Sequence, residues 1–350
     1  MIRISLLIAT LLTGVLVADD SEFYKESSDR YFLENVEKLN HGSPKEKIIA
    51  VENLRRIKTK RALRPFILAL KGTSTPFSEP KKGVVQPENS EIDQPLVNVE
   101  FPQNNEPALK FILAQAIADV GSERGMPALV EVYNVLEKKI TENEKVNLPK
   151  VEEMNTVNAA GELLRSIGKL IERLENTQEI DGVKYRPVAD AVKSGMETLK
   201  AALAHKHYYI RSTAADGLRN TNRSESLEPL YAAIGNEKDE YAKAAILSGI
   251  VGLKPSDSEK FFDLAELIKS NRPDVRVRVS NGLASADIVN SALYLRHAIQ
   301  FEENMNVRDQ MKKDLQYLNS FRTVDSHTTG TQKDFLGNDS PSSRSSKLYK

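Results

Sequence analysis

The chain has 350 residues, 49 basic and 49 acidic, so its formal net charge is zero, and it contains no cysteine. Acids and bases mixed at 28% of the residues exclude the charge footprint of a nucleic-acid binder. Without thiols there are no disulfides, no lipidation site near Ala18, and no cysteine nucleophile or metal ligand, so stability must come from packing.

Taken in chain order, Ile4 to Ala18 form a nearly unbroken apolar run behind Arg3, and Asp19, Asp20 and Glu22 follow directly. A run of about 15 residues is shorter than the ~20 that span a bilayer, and a small residue before the acids suits cleavage. Residues 1–18 are therefore expected to be a secretory signal peptide. The mature chain is expected to be periplasmic or secreted, with no integral membrane span after cleavage. Leu16, a poor residue three places before the cut, keeps an uncleaved anchor as the alternative.

The pattern then predicts seven helical pairs, at about 23–57, 60–120, 123–175, 185–219, 224–252, 257–284 and 286–319. In the first, Lys47 precedes the aliphatic Leu54 by seven places. The second opens on Arg61 to Leu70. It is then interrupted by Lys71 to Asn105, where Pro76, Pro80, Pro87, Pro95 and Pro102 forbid helix and predict an inserted loop over 71–105. It resumes with Lys110 and Ile117. The third pair has Thr156 where the basic residue belongs, and an overlong second helix from Asn155 to Glu175. Pro65, Pro127 and Pro229 mark helix starts, where a missing N–H costs nothing.

From the fourth pair on the period is regular. Arg211/Leu218, Lys243/Ile250, Arg276/Leu283 and Arg308/Leu315 follow one another at 32, 33 and 32 residues, which predicts stacked helical pairs. Gly217, Gly249 and Gly282 share one column, where glycine costs about 0.8–1 kcal/mol against alanine, so a neighbouring helix is expected to pass close by. From Arg322 to Lys350 apolar residues almost vanish, and 322–350 is expected to be a disordered tail.

On these residues the chain resembles the HEAT-repeat family, most closely at Pro273-Asp274-Val275-Arg276. The resemblance implies an all-α, right-handed α-solenoid of about seven HEAT-like pairs over residues 19–321. It also implies that the basic column ties neighbouring turns together, with Asp274 placed to accept. In the family the second helices line the concave side, which would put Asp216, Arg219, Arg278 and Asn281 on a partner-binding face.

Other chemistry is sparse. His205 and His207 lie two apart, a spacing that does not converge on a metal in a helix, and read as a turn pair. None of the five histidines is followed by glutamate, so the repeated His-Glu pairs of the HEAT-like iron hydroxylases are absent. There is no nucleophile elbow and no phosphate-binding loop. Tyr208, Tyr209, Tyr231 and Tyr241 cluster in the fourth and fifth pairs.

The chain is thus expected to be a non-enzymatic scaffold or adaptor without catalytic residue, cofactor or metal, binding a protein partner in the cell envelope. The alternatives are a periplasmic carrier of a small ligand or glycan, and an enzyme with unrecognised chemistry.

Overall fold

The computed structural model describes residues 29–57, 59–72, 107–143, 150–175, 186–286 and 289–328. The expected signal peptide, residues 73–105 of the expected loop, and residues 329–350 of the expected tail lie outside them. Among the described residues the protein is all-helical, with fourteen α-helices and no strand.

The helices are α1 (residues 29–41), α2 (Pro44–Ile57), α3 (Leu63–Lys71), α4 (Pro107–Val120), α5 (Gly125–Asn143), α6 (Lys150–Glu175) and α7 (Arg186–Ala202). There follow α8 (Tyr208–Asn220), α9 (Leu227–Ile234), α10 (Glu240–Leu253), α11 (Ser258–Glu266), α12 (Pro273–Ala286), α13 (Val289–Phe301) and α14 (Met305–Thr328). Two fall in each of the seven expected intervals. α14 runs to Thr328, past the expected solenoid end at residue 321; once a helix is nucleated, each added residue gains a hydrogen bond.

Local chemistry explains the starts. Glu46 reaches back to Ser43 before α2, as in one half of a capping box, its Oε2 accepting from the Ser43 N–H at 2.8 Å, with Pro44 at the first helical position. Pro65, Pro127 and Pro229 each stand third in their helices, inside the first turn. Asp239 caps α10, accepting from the N–H groups of Tyr241 and Ala242 at 2.9 and 3.0 Å.

The chain groups into two compact units, Met1–Arg223 and Ser224–Lys350. In the first, the even-numbered helices α2, α4, α6 and α8 pack in succession, α3, α5 and α7 do the same, and α3, α5 and α7 each pack on the helix that follows. α6 and α8 run parallel: Gly161 lies against Tyr209 and Thr213, and Gly168, two turns on, lies against Gly217. In the second unit α10, α12 and α14 pack in succession, with α9, α11 and α13 each on its own partner.

The aliphatic column is the core of both units: Leu54, Ile117, Leu163, Leu218, Ile250 and Leu283 are fully buried. Glycine sits where even-numbered helices touch. A Cβ on Gly168 would stand 2.7 and 2.8 Å from the carbonyl carbon and Cα of Gly217, and nearer still to its oxygen. A Cβ on Gly282 would stand 3.0 Å from Ser248 Cβ, and nearer to its hydroxyl. The close approach expected of this column is present at Gly217 and Gly282.

Candidate functional site

The densest polar arrangement lies between α4, α6 and α8 of the first unit. On α6, Glu162, Arg165, Lys169 and Arg173 recur at three- and four-residue spacing and so share one face. They meet Gln115 and Asp119, one turn apart on α4, and Asp216 on α8.

Asp119 stands at the C-terminal end of α4, where the helix dipole already places negative charge. Three cations offset that. Lys169 Nζ donates to Oδ1 at 2.7 Å, Arg173 Nη2 to Oδ1 at 3.0 Å, and Arg55 Nε, from α2, to Oδ2 at 3.1 Å. Arg173 also donates to the Asp119 carbonyl, one of the acceptors that a helix end leaves without a partner. Burial pushes the Asp119 carboxyl up, but the hydrogen bonds from Lys169 and Arg55 outweigh it and hold the group below the usual carboxylate range. The cluster ties α2, α4 and α6 together.

The second cluster ties α4, α6 and α8. Gln115 Nε2 donates to Glu162 Oε1 at 3.0 Å, and Arg165 bridges Glu162 Oε2 at 3.5 Å and Asp216 Oδ2 at 3.0 Å. The Arg165 guanidinium also lies over the Tyr209 ring, 5.9 Å from its centroid, a cation–π geometry. Burial pushes the Glu162 carboxyl up, against the opposing pull of Gln115 and Arg165. Among the described residues no group of three or more His, Asp or Glu side chains is placed to hold a metal ion.

The four expected partner-binding residues divide between the units. Asp216 is only 4% exposed and belongs to the Arg165 ion pair, so its expected place on an open face is corrected. The reason is that α8 is buried over the whole stretch 212–218, where its small residues let neighbours close in. Arg219 is half-buried in the last turn of α8. In the second unit Arg278 lies over the Tyr241 ring, 5.8 Å from its centroid. Asn281 is exposed, and its amide nitrogen donates to Asp314 Oδ2 at 2.9 Å and Oδ1 at 3.1 Å. Ser280 and Gln310 also donate to Asp314, whose carboxyl burial pushes up.

Two members of the basic column, Arg211 and Arg276, tie turns. Arg211 Nη1 donates to the His205 and Lys206 carbonyls at 2.9 and 2.7 Å, and Arg276 Nη1 to the Ser270 carbonyl at 2.7 Å. Arg276 also grips Glu302 with two parallel bonds of 2.6 and 2.8 Å. Asp274, expected to accept from that column, instead pairs with Arg272 at 2.8 Å, because both lie at the start of α12 and need no reach across it.

The histidines are turn residues: His205 Nδ1 accepts the His207 N–H at 2.9 Å, and His207 Nδ1 accepts the Tyr209 N–H at 3.2 Å as the cap of α8. Tyr208 stacks on His207, and Tyr231 donates to Asp257. The pattern missed Asp119 and its cations. Their one signal was the polar spacing 162, 165, 169, 173 along an overlong helix.

No known protein family matches the chain, and no curated protein matches it. Eleven chains of solved structures are similar to it. One, an engineered protein, is 15% identical, with 62% of this chain and 93% of that one covered at a TM-score of 0.29. Another is human deoxyhypusine hydroxylase in complex with glycerol, 13% identical, covering 85% of this chain and 99% of its own at a TM-score of 0.31. A third, from the computational design of self-assembling cyclic homo-oligomers, is 12% identical, with 92% and 100% covered at a TM-score of 0.17.

The hydroxylase corrects the expectation that the chain is no enzyme. At this TM-score the likeness assigns no activity here.

Proposed function

We propose that the chain is an exported HEAT-like α-solenoid that serves as a scaffold or adaptor for a protein partner in the cell envelope. The observation that carries the reading is the packing rule repeated within each unit. Even-numbered helices follow one another side by side, closest at glycines, with an arginine at the turn bonding backbone carbonyls. Helical pairs that bury their faces against the next pair build surfaces suited to extended recognition. Export rests on the apolar run at Ile4 to Ala18. Among the described residues no helix is long and apolar enough to cross a membrane.

α8 and α10 are buried almost all round, Ser212 to Leu218 and Ala244 to Val251, so recognition falls to other surfaces than theirs. In-cell cross-linking of the envelope fraction, read by mass spectrometry, tests the proposal. One dominant protein joined to peptides from several consecutive pairs is the expected result. A chain recovered without protein cross-links would overturn it in favour of a ligand carrier.

A further inference from the structure

The turns leading into α10, α12 and α14 share one rule, counted back from the basic residues Lys243, Arg276 and Arg308. The side chain six places before accepts the N–H of the residue four places before: Glu237 Oε1 from Asp239 at 2.8 Å, Ser270 Oγ from Arg272 at 3.2 Å, and Glu302 Oε1 from Asn304 at 2.9 Å. In two of these turns the side chain four places before then caps the helix. Asp239 Oδ1 accepts the Tyr241 N–H at 2.9 Å, and Asn304 Oδ1 the Asn306 N–H at 3.0 Å.

The turn between α7 and α8, counted from Arg211, keeps the rule and changes the chemistry. His205 Nδ1 accepts the His207 N–H at 2.9 Å, and His207 Nδ1 accepts the Tyr209 N–H at 3.2 Å. Each bond exists only while that nitrogen is unprotonated, because an imidazolium carries two donors and no acceptor. Carboxylates, amides and hydroxyls keep their charge between about pH 5 and pH 8, whereas imidazole changes there. A proton on Nδ1 sets N–H against N–H, so the ring must turn away and α8 loses its cap.

The surroundings decide which ring releases the turn. Glu137 of α5 lies 3.7 Å from His205 Nε2 and favours a cation there, so at His205 acid trades one attraction for another. His207 stands at the N-terminus of α8, where the helix dipole disfavours positive charge. Lys206 precedes it, and Arg211 Nη1 bonds the His205 and Lys206 carbonyls at 2.9 and 2.7 Å. On the α6 side Arg165, paired with Glu162 and Asp216, lies over Tyr209. Tyr208, stacked on the His207 ring at 5.1 Å, favours an imidazolium, but that stack goes once the ring turns.

We propose that the turn between α7 and α8 is a proton-sensitive switch, closed while His207 is neutral and freeing the first turn of α8 when His207 is protonated. The proposal is independent of the envelope-partner reading. Amide hydrogen exchange followed by NMR on the full chain, from about pH 7.5 to about pH 5 and corrected for the intrinsic pH dependence, tests it. While the capped ring stays neutral, each pH unit below about 6.5 raises the open population tenfold. Protection of the Tyr209 N–H is therefore expected to fall by about tenfold or more at the acid end. The Tyr241 and Asn306 amides, held by Asp239 and Asn304 in the same motif, are expected to keep theirs.

His207→Asn caps α8 as Asn304 caps α14, and is expected to hold the Tyr209 amide equally at both ends of the range. A wild-type Tyr209 amide that loses no more protection than Tyr241 and Asn306 overturns the proposal. So does an equal loss in His207→Asn, since the proton then acts elsewhere.

Discussion

Gly168→Ala sets two effects against each other. Inside a helix alanine is better than glycine by about 0.8–1 kcal/mol, so on α6 alone the change would stabilise. The new Cβ would stand 2.7 Å from the carbonyl carbon and 2.8 Å from the Cα of Gly217. Those atoms are α8 backbone, which no rotamer change can move aside. Ordinary contact begins at 3.4 Å, so α6 and α8 must part by roughly 0.6 Å or more along their length. Overpacking of this kind costs about 1–3 kcal/mol, and backbone against backbone belongs in the upper half.

The net loss is then about 1–2 kcal/mol, a fall of about 2–8 °C in the melting temperature of a unit this size. Thermal unfolding followed by far-UV circular dichroism reads it. Gly235→Ala is the control: its Cβ meets nothing nearer than the Ala232 carbonyl at 4.0 Å, and φ is −64°. That variant should be neutral or gain about 0.4–1 kcal/mol. If Gly168→Ala melts at or above the wild type, close approach is not the reason for glycine there.

Three further outcomes follow from the buried and half-buried charged groups. Asp119→Ala strips the acceptor from three cations and should cost about 1–3 kcal/mol near pH 7 by urea unfolding. Its folded-state carboxyl is held low, so its contribution is present above about pH 4 and lost as the pH falls through the folded value; the variant's deficit should shrink in acid. Arg276→Ala leaves Glu302 buried without its fork and should cost about 2–4 kcal/mol, and Arg276→Lys should recover only part of it. Asp314 has the opposite sign: burial raises its carboxyl, so its contribution is present in acid and lost as the pH rises through the folded value. Unfolding in a pH series from about 3.5 to about 7 should show the wild type losing stability relative to Asp314→Asn, and a gap that stays constant would contradict the burial argument.

Residues 29 to 321 already disclosed the fourteen helices and the residues that fill them. Leu54, Ile117, Leu218, Ile250 and Leu283 stand one heptad after a basic residue, and a buried stripe must repeat near 3.6 residues, so local order is enough to find it. The prolines and the Ser43/Glu46 pair are equally local, because helix ends are satisfied within a few residues. Gly217 and Gly282 announced a close approach by their cost to the helix, though not what they approach.

Which side chains meet was another matter. Asp119 draws its cations from α2 and α6, Arg165 joins Glu162 to Asp216 across α8, and Gly168 matters only because Gly217 lies opposite. These partners are 50 to 64 residues apart in several cases, beyond any helical period. Asp216 therefore read as surface and proved to be buried. Periodicity reports how one helix divides inside from outside, whereas the charge that closes a network is supplied by whichever helix packing brings alongside.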